Sequence, residues 1–195
     1  MKKIDIILAS ASPRRKIILS QIGIKFTIIE SNTLEDFSLK LPPEAFCEHW
    51  AREKAKDVAK NHPNSLIIGA DTIVVLDKKI LGKPQNRDQS FSMLKSLSGR
   101  THEVLTGVAF IHIDSKFDIT FNESTYVSFD TLSDNDILNY INKYNPYDKA
   151  GSYGIQDGFS VHIYKVQGCY YNVMGLPVSS FYTHYRALLH TLDQV

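Results

Sequence analysis

The sequence has few cysteines, no long apolar run and no surplus of either charge. Cys47 and Cys169 are its two cysteines, far apart in 195 residues, so we expect neither a disulfide scaffold nor a cysteine-based zinc site. The 7 histidines show no HExxH spacing, which excludes a zincin. No apolar stretch approaches the roughly 18–20 residues that a membrane span needs, and the first one, at residues 4–9, is too short for a secretory signal. We therefore expect a cytoplasmic protein without membrane contact.

The charges of the chain nearly cancel. Lys and Arg number 22 and Asp and Glu 21, which leaves a net charge of +1. A dedicated duplex-DNA binder normally carries a basic surplus, so we expect no nucleic-acid polymer as a partner, although a local basic pocket for a small anion stays open. Hydrophobic residues make up 43% and charged residues 22%, which is ordinary globular usage. At this length we expect a single domain over residues 1–195, with room for two lobes.

Apolar, β-branched runs alternate with helical patterns along the chain, and this order predicts an α/β domain. We predict strands at residues 4–9, 24–29, 66–70, 73–76, 102–113, 119–129 and 159–166. We predict helices that begin at Ser12-Pro13, after Pro42-Pro43, at Asp88, at Ser133 and at Val178. Ser12 and Ser133 are expected to cap their helices, and Gly23 and Gly99 to end the helices before them.

The segment Ser10–Arg15 reads S-A-S-P-R-R and follows the first predicted strand. The free N–H groups and the positive dipole end of a helix favour phosphate binding, and an arginine fork matches phosphate oxygens. Positive charge at a helix N-terminus opposes the macrodipole by roughly 0.3–1 kcal/mol per group, so two arginines there suggest that an anion joins them. The alternative is a surface helix that merely starts with a basic cluster.

Three further short segments carry charged side chains that suit the same chemistry. Asp71, in Gly-Ala-Asp-Thr at residues 69–72, can hold a cation or orient a water, but aspartate is also a common turn residue. Glu53 and Lys54 can meet a metal and a phosphate, or lie on a solvated helix face. Lys83, in Gly-Lys-Pro, is either a phosphate ligand or an exposed lysine. The segment is no P-loop, because the G-x-x-x-x-G-K-[ST] frame is absent.

Residues 148–158 form a polar stretch with three glycines, a lysine, an aromatic ring and an amide. Gln156 has both a donor and an acceptor, so it can read a pyrimidine edge. The alternative is a long surface connection made of turn residues. We expect His102 to be a structural hydrogen-bonding residue, and the tyrosines at 140, 144 and 147 to pack in the core and loops. Residues 172–177 are expected to form a tight packing turn before the last helix.

In this order, the segments resemble the Maf family of nucleoside triphosphate pyrophosphatases. The resemblance covers nearly the whole chain. Its parts are Ser10–Arg15, Glu53-Lys54-Ala55, Gly69–Thr72, Gly82-Lys83-Pro84, Leu97-Ser98-Gly99 with His102 and Thr106-Gly107, Asp148–Gly158 and Asn172–Pro177. Each segment alone is a weak signal, whereas seven of them in sequence are highly specific.

The resemblance implies an elongated α/β protein with a mixed sheet and two lobes around a central cleft, similar to inosine-triphosphate pyrophosphatases. It also implies a reaction, in which water attacks the α-phosphorus of a nucleoside triphosphate and gives the monophosphate and pyrophosphate. A divalent metal cation, Mg²⁺ or Mn²⁺, is implied as the cofactor. Such enzymes are thought to remove abnormal or surplus nucleotides, and the family is linked to septum formation and cell-division arrest. The resemblance is also compatible with a homodimer.

The resemblance assigns roles to single residues of this chain. It makes Asp71 the proton acceptor, or the group that orients the attacking water, and it implies Glu53 and Glu35 as metal ligands beside Asp71. The phosphate-binding residues that it implies are Ser10, Arg15, Lys54, Lys83 and Lys149. Two departures from the family pattern are Gln85-Asn86, where relatives often place an acidic residue, and an extra residue within Ser31–Asp36.

The substrate branch can also be inferred from the resemblance. The branch that acts on dTTP and UTP carries Arg, Thr and Gln at three discriminating positions, and Arg14, Thr72 and Gln156 match them here. The sister branch, which acts on 7-methyl-GTP, has Trp, Gln and Glu instead. A non-catalytic nucleotide sensor that restrains division would use the same pocket, but Asp71 and the set of cations favour catalysis. A dinucleotide-dependent oxidoreductase is disfavoured, because no G-x-G-x-x-G follows the first strand.

Overall fold

The computed structural model describes residues 4–192. Within this range the chain forms a seven-stranded mixed sheet with six α-helices, which confirms the α/β class predicted from the sequence. The strands are β1 Ile6–Leu8, β2 Thr27–Ile28, β3 Leu66–Leu76, β4 Lys79–Leu81, β5 Thr101–His112, β6 Phe117–Phe129 and β7 Ile163–Gln167. The helices are α1 Pro13–Gln21, α2 Pro43–Ala59, α3 Arg87–Leu97, α4 Asp134–Tyr144, α5 Tyr170–Met174 and α6 Val178–Leu192.

The sheet has the strand order β2-β1-β3-β5-β6-β7, and β4 pairs with β3 outside this path. Strand β1 runs parallel to both of its neighbours, with Ile7 opposite Thr27 on one side and Ile67 on the other. Such strands are buried on both faces and read as continuous apolar runs, which is why the first strand was predictable. The pairs β3–β4 and β6–β7 are antiparallel, so the sheet is mixed.

Several helix boundaries coincide with the capping and stop residues that the sequence supplies. Ser133 and Asp136 form a reciprocal capping box at the start of α4, as predicted. Gly23 and Gly99, with φ of 75° and 67°, follow the ends of α1 and α3. The prediction that the Ser12 side chain caps α1 is wrong. Ser12 occupies the N-cap position, but its side chain makes no capping hydrogen bond. None of the helices in the range 4–192 has the length and apolar character that crossing a bilayer requires.

Four predicted elements differ from the structure. Strand β3 is one continuous strand through Asp71-Thr72, because Asp71 finds a partner inside the protein and needs no turn. The predicted strand 24–29 shrinks to Thr27–Ile28, and Phe159 lies in a 3-10 segment, Gly158–His162, before β7. Residues 170–174, partly expected as a turn, form α5. The short strand β4 was not predicted; it follows Asp77 and Lys78, which both adopt positive φ.

The described residues divide into two compact units, each with its own apolar cluster. Unit 1 contains the described residues up to Asp71, Thr106–Glu123 and the residues from Gly175 onward, and unit 2 contains Thr72–Leu105 and Ser124–Met174. The cluster of unit 1 includes Ile7, Ala51, Ala55, Val58, Ile67 and Ala109. The cluster of unit 2 includes Leu94, Val127, Phe129, Ile141, Tyr153 and Phe159. The assignment of residues 1–195 to one domain with a central cleft stays a prediction.

Candidate active site

Small residues hold helix α2 close to the sheet in unit 1, and this packing determines where Lys54 lies. A Cβ atom added at Gly69 in β3 would overlap the carbonyl oxygen of Ala51 and the side chain of Ala55 in α2. Both alanines are fully buried. Because main chain meets main chain here, α2 lies directly on β3. Lys54 precedes Ala55 on the helix, and its ammonium reaches the strand two residues beyond Gly69.

The ammonium of Lys54 lies between two carboxylates. Its Nζ atom donates to Asp71 Oδ1 at 2.7 Å and to Glu35 Oε1 at 2.6 Å. The side chains of Lys54 and Glu35 are 15% and 20% exposed, whereas that of Asp71 is 5% exposed. Charge-assisted bonds of this length are strong when they are partly shielded from water. The three residues, which we call the Lys54 triad, form the ionic centre of unit 1.

Asp71 has one carboxylate oxygen that accepts no hydrogen bond among the described residues. This oxygen, Oδ2, is buried, and a buried polar atom without a partner is costly unless another group supplies one. Burial raises the pKa of Asp71 above its ordinary value, and Glu35 adds to the rise, while Lys54 and Arg15 oppose it. The arrangement leaves Asp71 with one oxygen fixed by a cation and one available to a water or a metal ion.

Arg15 is the second buried cation of unit 1. Its Nε atom donates to the carbonyl oxygen of Gly175 at 2.8 Å, and one terminal nitrogen donates to Ser10 Oγ at 3.0 Å. Burial lowers the pKa of Arg15, and Asp71 and Glu35 oppose this shift, so the guanidinium remains charged. The Ser10 hydroxyl also accepts from the N–H of Ser12 at 3.2 Å. Ser10 and Arg15 therefore meet at the N-terminus of α1, where the sequence predicted a phosphate site.

Glu53 lies apart from the Lys54 triad. Its carboxylate accepts from Lys56 Nζ at 2.8 Å, three residues further along α2, and this hydrogen bond lowers the pKa of Glu53. Neighbouring residues on a helix point about 100° apart, so Glu53 and Lys54 face different directions. The structure thus brings Glu35 to Asp71 and turns Glu53 toward solvent. In the described part of the chain, no group of three or more His, Cys, Asp or Glu side chains is arranged to hold a metal ion.

In unit 2 the structure brings the turn before Lys83 next to the loop after Lys149. The N–H of Gly151 donates to the carbonyl oxygen of Gly82 at 3.1 Å. Lys149 is bonded to Asp148 at 2.7 Å, while the side chains of Lys83 and Gln156 are exposed. Two of the three lysines predicted to bind phosphate, Lys83 and Lys149, are therefore carried by segments that are joined through their backbones.

The two remaining selectivity residues lie in unit 1 and at the start of unit 2. Arg14 is half-buried in the first turn of α1, next to Arg15, and its charge acts on Arg15. Thr72 is half-buried in β3 directly after Asp71. Successive strand residues point to opposite faces of a sheet, so Asp71 and Thr72 serve different faces of β3.

Several residues that hold the site were not singled out from the sequence. The Gly175 carbonyl that accepts from Arg15 is a backbone atom, and the sequence predicts residues 172–177 as a packing turn that matches the family pattern, without a role for this carbonyl. Tyr140, assigned to packing, also makes two hydrogen bonds through its hydroxyl. The expectation that His102 is structural is confirmed, because the buried imidazole bonds to the Tyr153 hydroxyl at 2.8 Å.

Comparison with known proteins supplies close relatives over most of the chain. A family model described as Maf-like protein matches residues 5–188. A protein of Lachnoclostridium phytofermentans named dTTP/UTP pyrophosphatase is 44% identical over 182 residues, which is 91% of this chain and 92% of that protein. Proteins of the same name from Syntrophomonas wolfei and Caldicellulosiruptor saccharolyticus are 46% and 43% identical, covering 90% and 98% of this chain and 93% and 98% of their own lengths.

Solved structures give a more distant likeness. The Ham1 protein of Staphylococcus aureus has a TM-score of 0.42 at 14% identity and covers 64% of this chain and 71% of its own. A HAM1 protein from Coxiella burnetii has a TM-score of 0.43 at 12% identity, over 65% and 73%. The family match and the sequence relatives, which extend over nearly the whole length, decide the assignment: the chain belongs to the Maf family.

Proposed function

We propose that this protein hydrolyses dTTP and UTP to the nucleoside monophosphate and pyrophosphate, as the names of its relatives describe for them. One structural observation supports the proposal above the others: Asp71 is buried, its Oδ1 is bound to Lys54, and its Oδ2 has no partner among the described residues. A cytoplasmic location, a role in nucleotide-pool housekeeping linked to cell-division arrest, and a homodimer remain predictions.

Asp71 would act on the attacking water through its Oδ2 atom. Because Lys54 holds Oδ1 at 2.7 Å, the carboxylate cannot turn freely, and Oδ2 keeps one orientation in which it can accept a proton. A pKa raised by burial makes the carboxylate a better base than a solvated one. The water would attack the α-phosphorus, and pyrophosphate would leave.

The cations would neutralise the triphosphate and the charge that develops on the leaving pyrophosphate. Phosphoryl chemistry asks a protein mainly for positioning and electrostatic stabilisation. Arg15 and Lys54 are already fixed by hydrogen bonds, so they need little reordering when substrate binds. The further groups in this role are Arg14, Lys83, Lys149 and the Ser10 hydroxyl.

Asp71 and Glu35 are the residues that would hold a divalent cation. The unpartnered, buried Asp71 Oδ2 and the carboxylate of Glu35 are oxygen donors, which Mg²⁺ and Mn²⁺ accept. Magnesium usually takes one or two carboxylates plus substrate phosphates, so two protein ligands suffice. We prefer Glu35 to Glu53, because Glu53 is bonded to Lys56. When bound, the cation would acidify water and polarise phosphate oxygens.

Selection of the pyrimidine branch would rest on Arg14, Thr72 and Gln156. The exposed Gln156 has an amide that can donate to one atom of a uracil or thymine edge and accept from another. Sites that hydrogen-bond a substrate reject analogues that leave those bonds unmade. The relatives that carry the name dTTP/UTP pyrophosphatase support this branch over the 7-methyl-GTP branch.

A panel of nucleoside triphosphates, assayed with Mg²⁺ or Mn²⁺ for pyrophosphate against orthophosphate release, tests the proposal. We expect pyrophosphate from dTTP and UTP. The variant Asp71→Asn keeps the shape of the side chain but removes the base, so we expect kcat to fall by at least about a hundredfold. Asp118→Asn is the matched control, because Asp118 is a surface carboxylate that pairs with Arg52.

Two results would contradict the proposal. A folded Asp71→Asn variant with kcat near the wild-type value would remove Asp71 from the chemistry. A wild-type protein that binds dTTP in calorimetry but releases no pyrophosphate with either metal would instead be a nucleotide sensor.

A further inference from the structure

The hydroxyl of Tyr140 bridges the two ends of the turn that carries Gln156. It accepts a hydrogen bond from the N–H of Gly154 at 3.1 Å and donates to Asp157 Oδ2 at 3.0 Å. Ile155 and Gln156 lie between these two residues, with Ile155 buried and Gln156 exposed. The N–H of Asp157 also donates to the carbonyl oxygen of Gly154 at 3.4 Å, so this backbone bond and the Tyr140 hydroxyl of helix α4 together close the four-residue turn that carries the Gln156 amide.

The turn has no spare volume inside it. A Cβ atom at Gly154 would overlap the Asp157 carboxylate and would come within 3.0 Å of Lys149 Cε. The Asp157 carboxylate also accepts from the N–H of Phe159 at 3.0 Å, which joins the turn to the core of unit 2. Lys149 therefore lies against the same turn, whereas the hydrogen bonds of the Tyr140 hydroxyl are made to Gly154 and Asp157.

We propose that the Tyr140 hydroxyl is a positioning group for nucleobase selection, which fixes the turn at residues 154–157 so that Gln156 is held ready for the base. The inference rests on the proposed function, because it needs Gln156 to contact the substrate. Tyr140 itself touches neither substrate nor the reacting atoms; it acts through Gln156.

The environment of Tyr140 keeps its hydroxyl in the protonated state that this role needs. The residue is 5% exposed, and its ring contacts Tyr144 and Phe159 with centroids 5.2 and 4.8 Å away. Burial raises the pKa of the Tyr140 hydroxyl, and the adjacent Asp157 carboxylate adds to this rise. The hydroxyl therefore keeps its proton at neutral pH, where it can donate to Asp157 and accept from Gly154.

The variant Tyr140→Phe tests the hydroxyl while it keeps the ring. We expect KM for dTTP to rise roughly threefold to tenfold, the range that corresponds to one hydrogen bond, with kcat within about twofold of wild type. Tyr144→Phe is the matched control: its ring stacks on Tyr140 in the same helix, yet its hydroxyl makes no hydrogen bond to any described residue. We expect its KM to stay at the wild-type value.

A double-variant cycle separates positioning from general loosening of unit 2. In a Gln156→Ala background, Tyr140→Phe should raise KM no further, because both changes act through the same amide. If the two effects multiply instead, Tyr140 acts through the fold alone and the proposal is wrong. Asp157→Ala removes the acceptor of the Tyr140 hydroxyl and also that of the Phe159 N–H, so it should raise KM at least as much as Tyr140→Phe does, even if Tyr140→Phe folds poorly.

A binding measurement keeps the inference apart from the proposed function. Calorimetry with a non-hydrolysable dTTP analogue gives Kd for the wild type and each variant without catalysis. If the wild type releases no pyrophosphate but binds the analogue, the proposed function fails, while a Kd weakened in Tyr140→Phe and unchanged in Tyr144→Phe still supports the inference. An unchanged Kd in Tyr140→Phe, or no binding to the wild type, overturns it.

Discussion

One cluster in each unit shows how differently this protein handles ionisable side chains. In unit 1 the ammonium of Lys54 is bonded to the carboxylates of Asp71 and Glu35 at 2.7 and 2.6 Å. In unit 2 burial lowers the pKa of His102 to about 3 and raises the pKa of Tyr153, so this pair stays neutral at pH 7. The imidazole lies edge-on to Phe129 and Tyr153 with ring centroids 4.6 and 5.3 Å away.

The difference lies in what desolvation does to each cluster. A buried ion pair gains little net stability, because desolvation offsets the Coulomb attraction, so the Lys54 triad contributes little net stability to the fold. The hydrogen bond between His102 and Tyr153 buries no charge, so it avoids the larger cost of desolvating ions and ties Tyr153 into the aromatic cluster. We therefore expect substitutions in the Lys54 triad and at His102 to change stability in different ways.

The largest effect is expected for Lys54→Met. Removing the ammonium leaves Asp71 and Glu35 without their shared partner, and breaking one side of a buried pair costs about 3–5 kcal/mol. Urea unfolding should show this loss, and the loss should shrink as the pH is lowered, because burial raises the pKa of Asp71 and its protonation removes the unpaired charge. Pyrophosphate release should fall to background.

Lys56→Met is the control on the same helix. Lys56 pairs with Glu53 at the surface, with side chains 41% and 37% exposed, and exposed pairs contribute about 0–1 kcal/mol. Equal losses in the two variants would show that burial of the Lys54 triad has no energetic consequence.

Lowering the pH is expected to have an intermediate effect on the stability of the fold, through His102 in unit 2. Because the folded pKa of His102 is about 3 and the ordinary value is about 6.5, neutral His102 stabilises the fold above pH 6.5. This contribution is lost as the pH falls toward 3, and the part already lost at pH 5 is about 2 kcal/mol. His102→Gln, which retains a hydrogen-bonding group for Tyr153, should flatten the fall in stability between pH 7 and 5.

His184→Gln is the comparison for this pH dependence, because His184 is only half-buried and stacks on Phe121 in unit 1. The free energies of unfolding of both variants and the wild type, measured at pH 7 and pH 5, test whether His102 causes the pH dependence. A His102→Gln protein with the full wild-type slope would mean that another group is responsible.

The smallest effect is expected for Arg52→Ala. Arg52 makes a forked contact with Asp118, with its nearest bond at 2.6 Å, but the side chains are 47% and 32% exposed. Solvent screening limits such a pair to about 0–1 kcal/mol. A double-mutant cycle with Asp118→Ala, measured by urea unfolding in low and high salt, should give a coupling energy in this range. A coupling energy of about 3 kcal/mol, as for a buried pair, would show that exposure does not weaken the Arg52–Asp118 pair.

Local signals made much of the fold predictable. The capping box of Ser133 and Asp136 and the stop at Gly23 depend on neighbouring residues alone, so a sequence pattern captures them. The strand break predicted at Asp71 is wrong, because it depends on a residue that is distant in the sequence. Polar residues are expected in turns when no partner is visible, and the partner of Asp71 lies 17 residues earlier, at Lys54.

The charged residues of the candidate site could be predicted from the sequence, whereas the groups that hold them in place could not. Lys54, Asp71 and Arg15 carry chemistry that a pattern can suggest, and the structure brings all three into unit 1. The choice between Glu35 and Glu53 depends on helix direction and on the fold of residues 31–36, which spacing does not give. The Gly175 carbonyl and the Tyr140 hydroxyl act through tertiary distance, so no local signal marks them.

Gly69 has a consequence that reaches beyond packing. It brings no functional group to the reaction, yet the absence of a side chain there sets the gap between helix and strand across which Lys54 meets Asp71. The length of the lysine is matched to that gap. A residue without a side chain therefore sets the distance between two charged groups, and a larger side chain at position 69 would push the helix away and separate them.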